Sequence, residues 1–370
     1  MSEKTNYKFL ISGGGTGGHV FPAISIANAL RSQYPDSEIL FVGAEGRMEM
    51  ERVPKAGYEI IGLPVSGFDR KNPVKNVKVV VRLIRSMLRA RKIVKTFAPD
   101  VAIGVGGYAS GPVIRAAQRR KIPTVIQEQN SYAGVTNKLL ADRATKICVA
   151  YEGMSRFFPK EKIVLTGNPV RKEFVEAANV TKEEAKRRLG FAADRRLVFV
   201  TGGSLGAMTV NEAAARSIPV ITDAKANLLW QTGSRYEHAC KSIADGFENV
   251  DAMPFVNDMS MAYRAADIVV ARAGACTISE LQIVGCPAIL IPSPNVAEDH
   301  QRKNAQALVD QDAAVMILDK DARETLSSTI ASLLNDDTAR ARLSTNVKKM
   351  ALADADNKIV EIINNILESK

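Results

Sequence analysis

The chain has 370 residues, of which 46% are apolar and 24% charged, and its formal net charge is +10. This length allows two domains, and this composition is typical of a globular protein and excludes a disordered one. The basic charge indicates an anionic partner, whether nucleic acid, a phosphorylated substrate or an acidic membrane surface. A charge that serves solubility alone is the alternative.

The cysteines and the hydropathy pattern narrow the class of protein. The four cysteines (Cys148, Cys240, Cys276 and Cys286) include no CxxC pair, which favours reduced thiols over a disulfide framework or a zinc site. The polar start does not fit a signal peptide, and no apolar run approaches the ~18 residues that span a bilayer. If the protein acts at a membrane, we therefore expect it to lie on the surface.

The first 150 residues alternate short apolar runs with helical patterns. FPAISIANALRSQ has a helical period, and the apolar runs are YKFLIS, EILFVG, DVAIGVGG, TVIQEQN and KICVAY. Such runs, each ending in glycine or polar residues, are typical of parallel strands that are buried on both faces in βαβ units.

The same pattern begins again after KIVLTGNPVR. A charged helical segment, TKEEAKRRLG, precedes the apolar runs RRLVFVTGG, LLWQTG, DAMPFV, DIVVARAG and PAILIP, and the chain closes with the amphipathic NKIVEIINNILESK. The sequence therefore predicts an α/β protein with two Rossmann-like domains, residues 1–167 and 168–356. The C-terminal helix, residues 357–370, is expected to pack back on the first domain.

A glycine-rich loop follows the first predicted strand. Gly13, Gly15 and Gly18 satisfy GxGxxG between a strand and a helix, where main-chain N–H groups and the helix dipole favour a phosphate. An NAD or FAD site is one interpretation, but Glu45, the nearest acid after the second strand, lies 27 residues past Gly18 rather than about 20. The loop ends in His19, which is either a general base or a histidine that bonds to the backbone at the helix start.

A second glycine turn opens the other half of the chain. Gly202, Gly203, Ser204 and Gly206 lie in TGGSLGA, directly after a predicted strand. A dehydrogenase needs one such loop. Two halves that each carry one favour a ligand held between domains.

The segment ARAGACTISE also follows a predicted strand, and it has two interpretations. Thr277 and Glu280 have the spacing of a capping box. Alternatively, the helix start binds a diphosphate and Glu280 accepts hydrogen bonds from ribose hydroxyls. Downstream, His300, Gln301 and Asn304 have one-turn spacing and could reach the same ligand.

Residues 70–95 contain ten Lys or Arg and no acidic residue. On a helix, one arc is apolar (Val77, Val80, Val81, Ile84 and Leu88) and an adjacent stripe is basic (Lys78, Arg82, Arg85, Arg89 and Lys92). This arrangement suits an interfacial helix on an anionic membrane. The alternative is an apolar arc that packs on the sheet with the basic stripe merely solvated. Nucleic acid is less favoured because no aromatic residues interleave the basic ones.

Six motifs together resemble one family. GGGTGGHVFPA, GGYASGP, QEQN, TGNPVR, GGSLGA and ARAGACTISE, in this order, resemble the MurG family of UDP-N-acetylglucosamine:lipid-linked muramyl-pentapeptide transferases, from about residue 8 to the C-terminal helix. The resemblance implies a GT-B fold, in which two Rossmann-like domains with parallel sheets face each other across a cleft. It implies inverting transfer of N-acetylglucosamine to the muramyl sugar of the undecaprenyl-diphosphate-linked acceptor, the last cytoplasmic step of peptidoglycan precursor synthesis (lipid I to lipid II). A GT-B enzyme with another acceptor, a non-catalytic sugar-nucleotide sensor and an NAD(P)-dependent oxidoreductase are the alternatives.

The resemblance also assigns residues by position. His19 is the candidate base, and Tyr108 and Glu128 belong to the acceptor side. The donor-binding residues are Thr16, Gly17, Gly18, Asn130, Arg171, Ser204, Val256, Ala275, Cys276, Thr277, Ile278, Ser279, Glu280 and Gln301. The expected membrane residues are Val77, Lys78, Val81, Arg82, Ile84, Arg85, Leu88 and Arg89.

The family needs no cofactor and no metal-binding Asp-x-Asp motif, so we expect neither here. The Asp-x-Asp pairs at 310–312 and 354–356 do not follow apolar strands and are expected at helix ends or on the surface. The implied partners are UDP-N-acetylglucosamine, the lipid-linked muramyl-pentapeptide and an anionic membrane surface, with no nucleic acid. The implied location is peripheral, on the cytoplasmic face of the bacterial plasma (inner) membrane.

Overall fold

The computed structural model describes residues 6–65 and 76–369, except for the side chains of residues 76–78 and 297. The chain forms two compact units: unit 1 is Met1–Val170 with Asp354–Lys370, and unit 2 is Arg171–Ala353. The unit boundaries lie three residues from those that the sequence pattern suggested. All four cysteines are free thiols.

Unit 1 contains a parallel sheet of seven strands within the described residues. The strands are β1 (Lys8–Gly13), β2 (Glu38–Ala44), β3 (Glu59–Leu63), β4 (Val101–Gly106), β5 (Thr124–Glu128), β6 (Lys146–Val149) and β7 (Ile163–Leu165), in the order β3-β2-β1-β4-β5-β6-β7. The helices are α1 (Gly17–Gln33), α2 (Glu49–Lys55), α3 (Asn76–Phe97), α4 (Ser110–Arg119), α5 (Val135–Leu140) and, at the end of the chain, α15 (Ala355–Glu368).

Both faces of this sheet are covered, which explains the continuous apolar runs. Phe9 and Ile11 of β1 pack with α1 and α15, whereas Leu10 faces the opposite core with α3 and α4. The apolar side of α15 packs there, and its residues Ile359 and Ile363 are completely buried. This burial, at about 1.5–3 kcal/mol per large side chain, holds the C-terminal helix on unit 1.

Unit 2 repeats the plan with a parallel sheet of six strands. The strands are β8 (Leu197–Thr201), β9 (Asn227–Gln231), β10 (Val250–Met253), β11 (Ile268–Ala271), β12 (Ala288–Leu290) and β13 (Val315–Met316), in the order β10-β9-β8-β11-β12-β13. The helices are α6 (Lys172–Ala177), α7 (Lys182–Arg188), α8 (Met208–Asp223), α9 (Glu237–Ala244), α10 (Met259–Ala265), α11 (Ala275–Val284), α12 (His300–Val309), α13 (Ala322–Asn335) and α14 (Asp337–Lys349).

The strand orders define where each unit can bind a ligand. The order reverses beside β1 and β4 in unit 1, and beside β8 and β11 in unit 2. In open parallel sheets, ligands bind outside the carboxyl ends of the strands at such reversal points. The two glycine-rich turns and the segments GGYASGP and ARAGACTISE all follow these four strands.

Three strands were not predicted from the sequence. β3 and β7 lie at the two ends of the unit 1 strand order, and each has three partly exposed or exposed residues. β13 has only two residues, so none of the three gives a long buried apolar run. Over the part of the chain that is described, no helix is both long and apolar enough to cross a membrane.

Candidate functional site

In unit 1, the glycine loop after β1 lies against the turn after β4. Gly106 and Gly107 have φ of +93° and +85°. A Cβ on Gly107 would lie 2.3 Å from the carbonyl oxygen of Gly14, and one on Gly106 would lie 2.8 Å from Nε2 of His19. The first two glycines of GGYASGP are therefore required because the first loop and His19 approach this turn closely.

His19 lies in the first turn of α1, half-buried, with Nδ1 3.2 Å from Oγ1 of Thr16. The helix has no acidic residue in its first turn, and Thr16 forms no side-chain capping bond. In the tautomer whose Nδ1–H donates to the Thr16 hydroxyl, Nε2 carries the lone pair and can accept a proton. The geometry thus allows a general base at Nε2.

The two acceptor-side candidates differ in what they can reach. Tyr108 is 55% exposed directly after β4, whereas Glu128 is 1% exposed at the end of β5. Oε1 of Glu128 accepts from the main-chain and side-chain N–H groups of Asn130 (3.1 and 3.2 Å), and Oε2 accepts from Gly134 N and Asn137 Nδ2 (both 2.9 Å). Glu128 therefore stabilises the loop that follows β5. Of the two candidates, Tyr108 is the one whose side chain is exposed.

A buried amide network, which the sequence did not predict, joins two of the motifs. Gln127 Nε2 donates to Asn168 Oδ1 (2.9 Å), Asn168 Nδ2 donates to the carbonyl of Gln129 (3.0 Å), and Gln129 Nε2 donates to the carbonyl of Val105 (2.8 Å). All three amide side chains are at most 3% exposed. The network ties QEQN to TGNPVR and to the end of β4. Its only sequence signal is amide residues at the end of an apolar strand.

In unit 2, the glycine turn after β8 is linked to Val256. Gly203 N donates to Thr201 Oγ1 (3.1 Å), which also accepts from Gln231 Nε2 (2.9 Å). Oε1 of Gln231 accepts from the main-chain N–H of Val256 (2.9 Å). The N–H of Val256 is thus engaged, while Ser204 is exposed on the same turn.

Helix α11 begins earlier than the capping-box interpretation requires. Its N-cap is Gly274, no side chain caps it, and its first turn has no acidic residue. Thr277 and Glu280 lie inside the helix, and the Thr277 side chain bonds to Tyr263. The capping-box interpretation is therefore wrong. The first turn of α11 contributes no acidic side chain of its own, and the positive end of the helix dipole favours an anion.

Arg171 and Glu280 form a largely buried pair in unit 2. Arg171 Nη2 and Nε lie 2.9 and 3.2 Å from Oε1 of Glu280, which is 8% exposed. Burial raises the pKa of the Glu280 carboxyl to about 7, against the lowering effect of Arg171. The guanidinium also lies over the ring of Phe174 (4.6 Å), which packs edge-on against Tyr263. Arg171 is thus fixed by an aromatic support and a carboxyl group 109 residues away.

The segments after β11 and β12 are held by a residue that the sequence interpretation missed. Arg272 Nη1 contacts Asp319 Oδ1 (2.5 Å) and donates to the carbonyl of Ile291 (3.1 Å). Gln301 is a predicted contact of the donor sugar. Its Oε1 accepts from Ser293 N (2.8 Å), so this oxygen is already engaged in holding the loop after β12. The sequence feature that could have indicated a role for Arg272 is its position between a buried strand and a glycine.

The acidic residue that a dinucleotide site would need after the second strand forms an ion pair instead. Glu45, just after β2, pairs with Arg89 at 2.7 Å, and both side chains are about half exposed. Within the described ranges, no group of three or more His, Cys, Asp or Glu could hold a metal ion. The two Asp-x-Asp pairs lie at the end of α12 and the start of α15, as predicted.

The apolar arc of α3 faces outward. Val80, Val81, Ile84 and Leu88 are 45%, 45%, 53% and 58% exposed. The side of α3 that faces the core instead carries Ser86, Ala90, Ile93 and Val94. The alternative in which the arc packs on the sheet is therefore wrong for these four residues. The side chains of Val77 and Lys78, and residues 70, 71 and 75, lie outside the described part of the chain.

Comparison with known proteins agrees with this two-unit plan. The profile of the glycosyltransferase family 28 N-terminal domain matches residues 9–149, and that of the family 28 C-terminal domain matches residues 197–359. The chain is 52% identical over 366 residues to the UDP-N-acetylglucosamine--N-acetylmuramyl-(pentapeptide) pyrophosphoryl-undecaprenol N-acetylglucosamine transferase of Parabacteroides distasonis, covering 98% of this chain and 99% of that one. It is 53% identical over 357 residues to the protein of the same name from Phocaeicola vulgatus, covering 96% and 95%. The crystal structure of Acinetobacter baumannii MurG matches with a TM-score of 0.77 at 26% identity, covering 97% and 99%.

Proposed function

We infer, from the premise that this chain belongs to the MurG family of peptidoglycan glycosyltransferases, that it transfers N-acetylglucosamine from UDP-N-acetylglucosamine to the muramyl sugar of a lipid-linked muramyl-pentapeptide. It is a hexosyltransferase that converts lipid I to lipid II. The relatives named for this reaction share about half of their residues with it over nearly the full length. In the structure, the observation that carries this function is the uncapped start of α11 in the same unit as the Arg171–Glu280 pair.

Unit 2 is the proposed donor site. The N-terminus of α11, from Ala275 to Ser279, and the exposed Ser204 turn supply main-chain N–H groups for the diphosphate. Glu280 accepts from the ribose hydroxyls, and Arg171, which already pairs with it, adds positive charge for the departing UDP. The carbonyl of Val256 is available to the uracil because its N–H is engaged by Gln231, and Gln301 faces the donor sugar.

Unit 1 supplies the proposed acceptor side and the base. Nε2 of His19 takes the proton of the acceptor hydroxyl, whose oxygen then attacks the anomeric carbon of the donor. The bond from that carbon to the diphosphate oxygen breaks, and its electrons leave with UDP, so the anomeric centre inverts. Tyr108 contacts the acceptor, whereas Thr16, Gly17, Gly18 and Asn130 are the proposed donor-binding residues of unit 1.

We assign α3 to the cytoplasmic face of the bacterial plasma membrane. Its apolar arc is about half exposed, and Arg82 and Arg85 are exposed beside it. An interfacial helix buries such an arc among lipid chains while its basic residues meet anionic headgroups. This placement suits an acceptor that is itself anchored in the membrane.

The function is tested by UDP release from UDP-N-acetylglucosamine in EDTA, with and without a short-chain lipid-linked muramyl-pentapeptide. We expect release that requires the acceptor and survives the chelator. Binding of the donor without acceptor-dependent release would overturn the acceptor assignment, and loss of release in EDTA would overturn the metal-free mechanism.

The base is tested by His19→Ala, with His238→Ala on the exposed surface of α9 as the matched control. Loss of a general base lowers kcat by roughly 100- to 10,000-fold. Affinity for UDP should stay unchanged because the residues proposed to contact its uracil, ribose and diphosphate lie in unit 2. A His19→Ala enzyme as active as His238→Ala would exclude His19 as the base.

A further inference from the structure

Glu49 is a buried acid that none of the motifs contains. It is the first residue of α2 and is 0% exposed. Its Oε1 accepts from the main-chain N–H of Ala44 at the end of β2 (2.9 Å), and its Oε2 accepts from the main-chain N–H of Gly15 in the loop after β1 (2.9 Å). One carboxyl group therefore joins two loops that are distant in sequence.

The surrounding glycines leave space for this carboxyl group. A Cβ on Gly14 would lie 2.1 Å from Oε1 of Glu49, and one on Gly43 would lie 2.5 Å from its Cγ. Gly15 has a φ of +91°. Glu49 thus contacts the glycine loop at Gly14 and Gly15, and the Cβ position of Gly107 lies against the carbonyl of the same Gly14.

A glycine loop at the start of a helix usually offers its N–H groups to an external anion. Here an internal carboxylate occupies the N–H of Gly15. The loop conformation is therefore set by the protein itself, before any substrate binds. The same loop continues through Thr16 into the first turn of α1, which carries His19.

We propose that Glu49 is a positioning residue for the transfer reaction. It holds Gly15, and through the short connection from Gly15 to α1 it sets the position of the His19 imidazole, without itself contacting substrate. The effect of Glu49 on His19 rests on the proposed function, whereas its hydrogen bond to the glycine loop is independent of that function.

The test compares Glu49→Gln with Glu51→Gln, an exposed glutamate on the same helix. Glutamine keeps the volume but turns a donor toward one of the two N–H groups. Because misplacing a reactive group by about 1 Å can cost roughly 100-fold, we expect kcat with saturating substrates to fall roughly 10- to 100-fold in Glu49→Gln. UDP affinity, measured by calorimetry, should be unchanged in both variants. A role in folding alone would instead lower the melting temperature and leave kcat per UDP-binding molecule at the Glu51→Gln value, and that result would overturn the proposal.

A double-mutant cycle guards against simple loss of folding. Gly14 does not have a positive φ, so the strain of Gly14→Ala comes from its methyl group meeting Glu49. In Glu49→Ala the three atoms that lie nearest to that methyl group are gone. We expect the kcat losses of Gly14→Ala and Glu49→Ala to be clearly less than multiplicative in the double variant. Independent, multiplicative losses would count against the contact.

The outcome also separates this proposal from the assignment of the base. Low kcat in Glu49→Gln with normal activity in His19→Ala would remove His19 as the base and leave the loop-positioning role intact. Normal kcat in Glu49→Gln with an inactive His19→Ala would overturn the role of Glu49 alone.

Discussion

The exposed arc of α3 gives the sharpest test of membrane association. Ile84 and Leu88 are 53% and 58% exposed and lie one turn apart on the same side of the helix. The double variant Ile84→Ser, Leu88→Ser should therefore bind anionic vesicles more weakly. Its fold should persist, because neither side chain belongs to the buried core of unit 1.

The magnitude follows from the exposed fractions. Complete burial of an Ile or Leu side chain contributes about 1.5–3 kcal/mol, so removing the exposed half of two such side chains forfeits about 2–3 kcal/mol of membrane binding. Since about 1.4 kcal/mol corresponds to a tenfold change in an equilibrium constant, partitioning should fall roughly 20- to 200-fold. Neutralising Arg82 and Arg85 should add about 1 kcal/mol each, an effect that salt weakens.

The assay is cosedimentation with phosphatidylglycerol vesicles, together with a thermal melt of each variant. Ile243→Ser is the matched control, because Ile243 is 44% exposed on α9 of unit 2. We expect the control to bind like the wild-type protein and all three proteins to melt at similar temperatures. Equal vesicle binding by the double variant and the control would refute the assignment of α3 to the membrane.

Three further predictions concern the interior. Gly107→Ala should abolish activity because its methyl group would lie 2.3 Å from a main-chain oxygen, whereas Gly153→Ala, also at positive φ but with nothing within 4 Å, should cost only about 1–2 kcal/mol in a denaturant melt. Burial raises the pKa of Asp267, but two lysines and a main-chain N–H outweigh it and hold that pKa below its usual value. Its stabilisation is therefore present above about pH 4 and is lost as the pH falls through the folded-state pKa. Asp267→Asn should cost about 3–5 kcal/mol at pH 7, with the difference from wild type narrowing in melts below pH 4; a constant difference would contradict this. Burial raises the pKa of Glu280 to about 7, so calorimetry should show weaker UDP-N-acetylglucosamine binding as the pH falls from about 8 to 6, and a flat profile in Glu280→Gln.

Much of the fold could be predicted because its signals are local. A strand covered on both faces needs consecutive apolar residues, so β1, β2, β4, β5 and β6 could be predicted, whereas the edge strands β3 and β7 could not. Turns that require positive φ or close backbone approach need glycine, so the reversal points of both sheets carried a visible glycine pattern. The start of α7 also has a local signal, because the Thr181 side chain accepts from Glu184 N as an N-cap.

What the sequence by itself determined was therefore the order of most elements, the two-domain plan and the positions of the glycine-rich turns. Only the tertiary structure decided which side chains serve those turns. Glu49 and Gly15 are 34 residues apart, and Arg171 and Glu280 are 109 apart, and no local pattern encodes such contacts. Helical periodicity likewise showed which residues of α3 share a side but not what covers that side, because burial depends on the elements that pack against the helix.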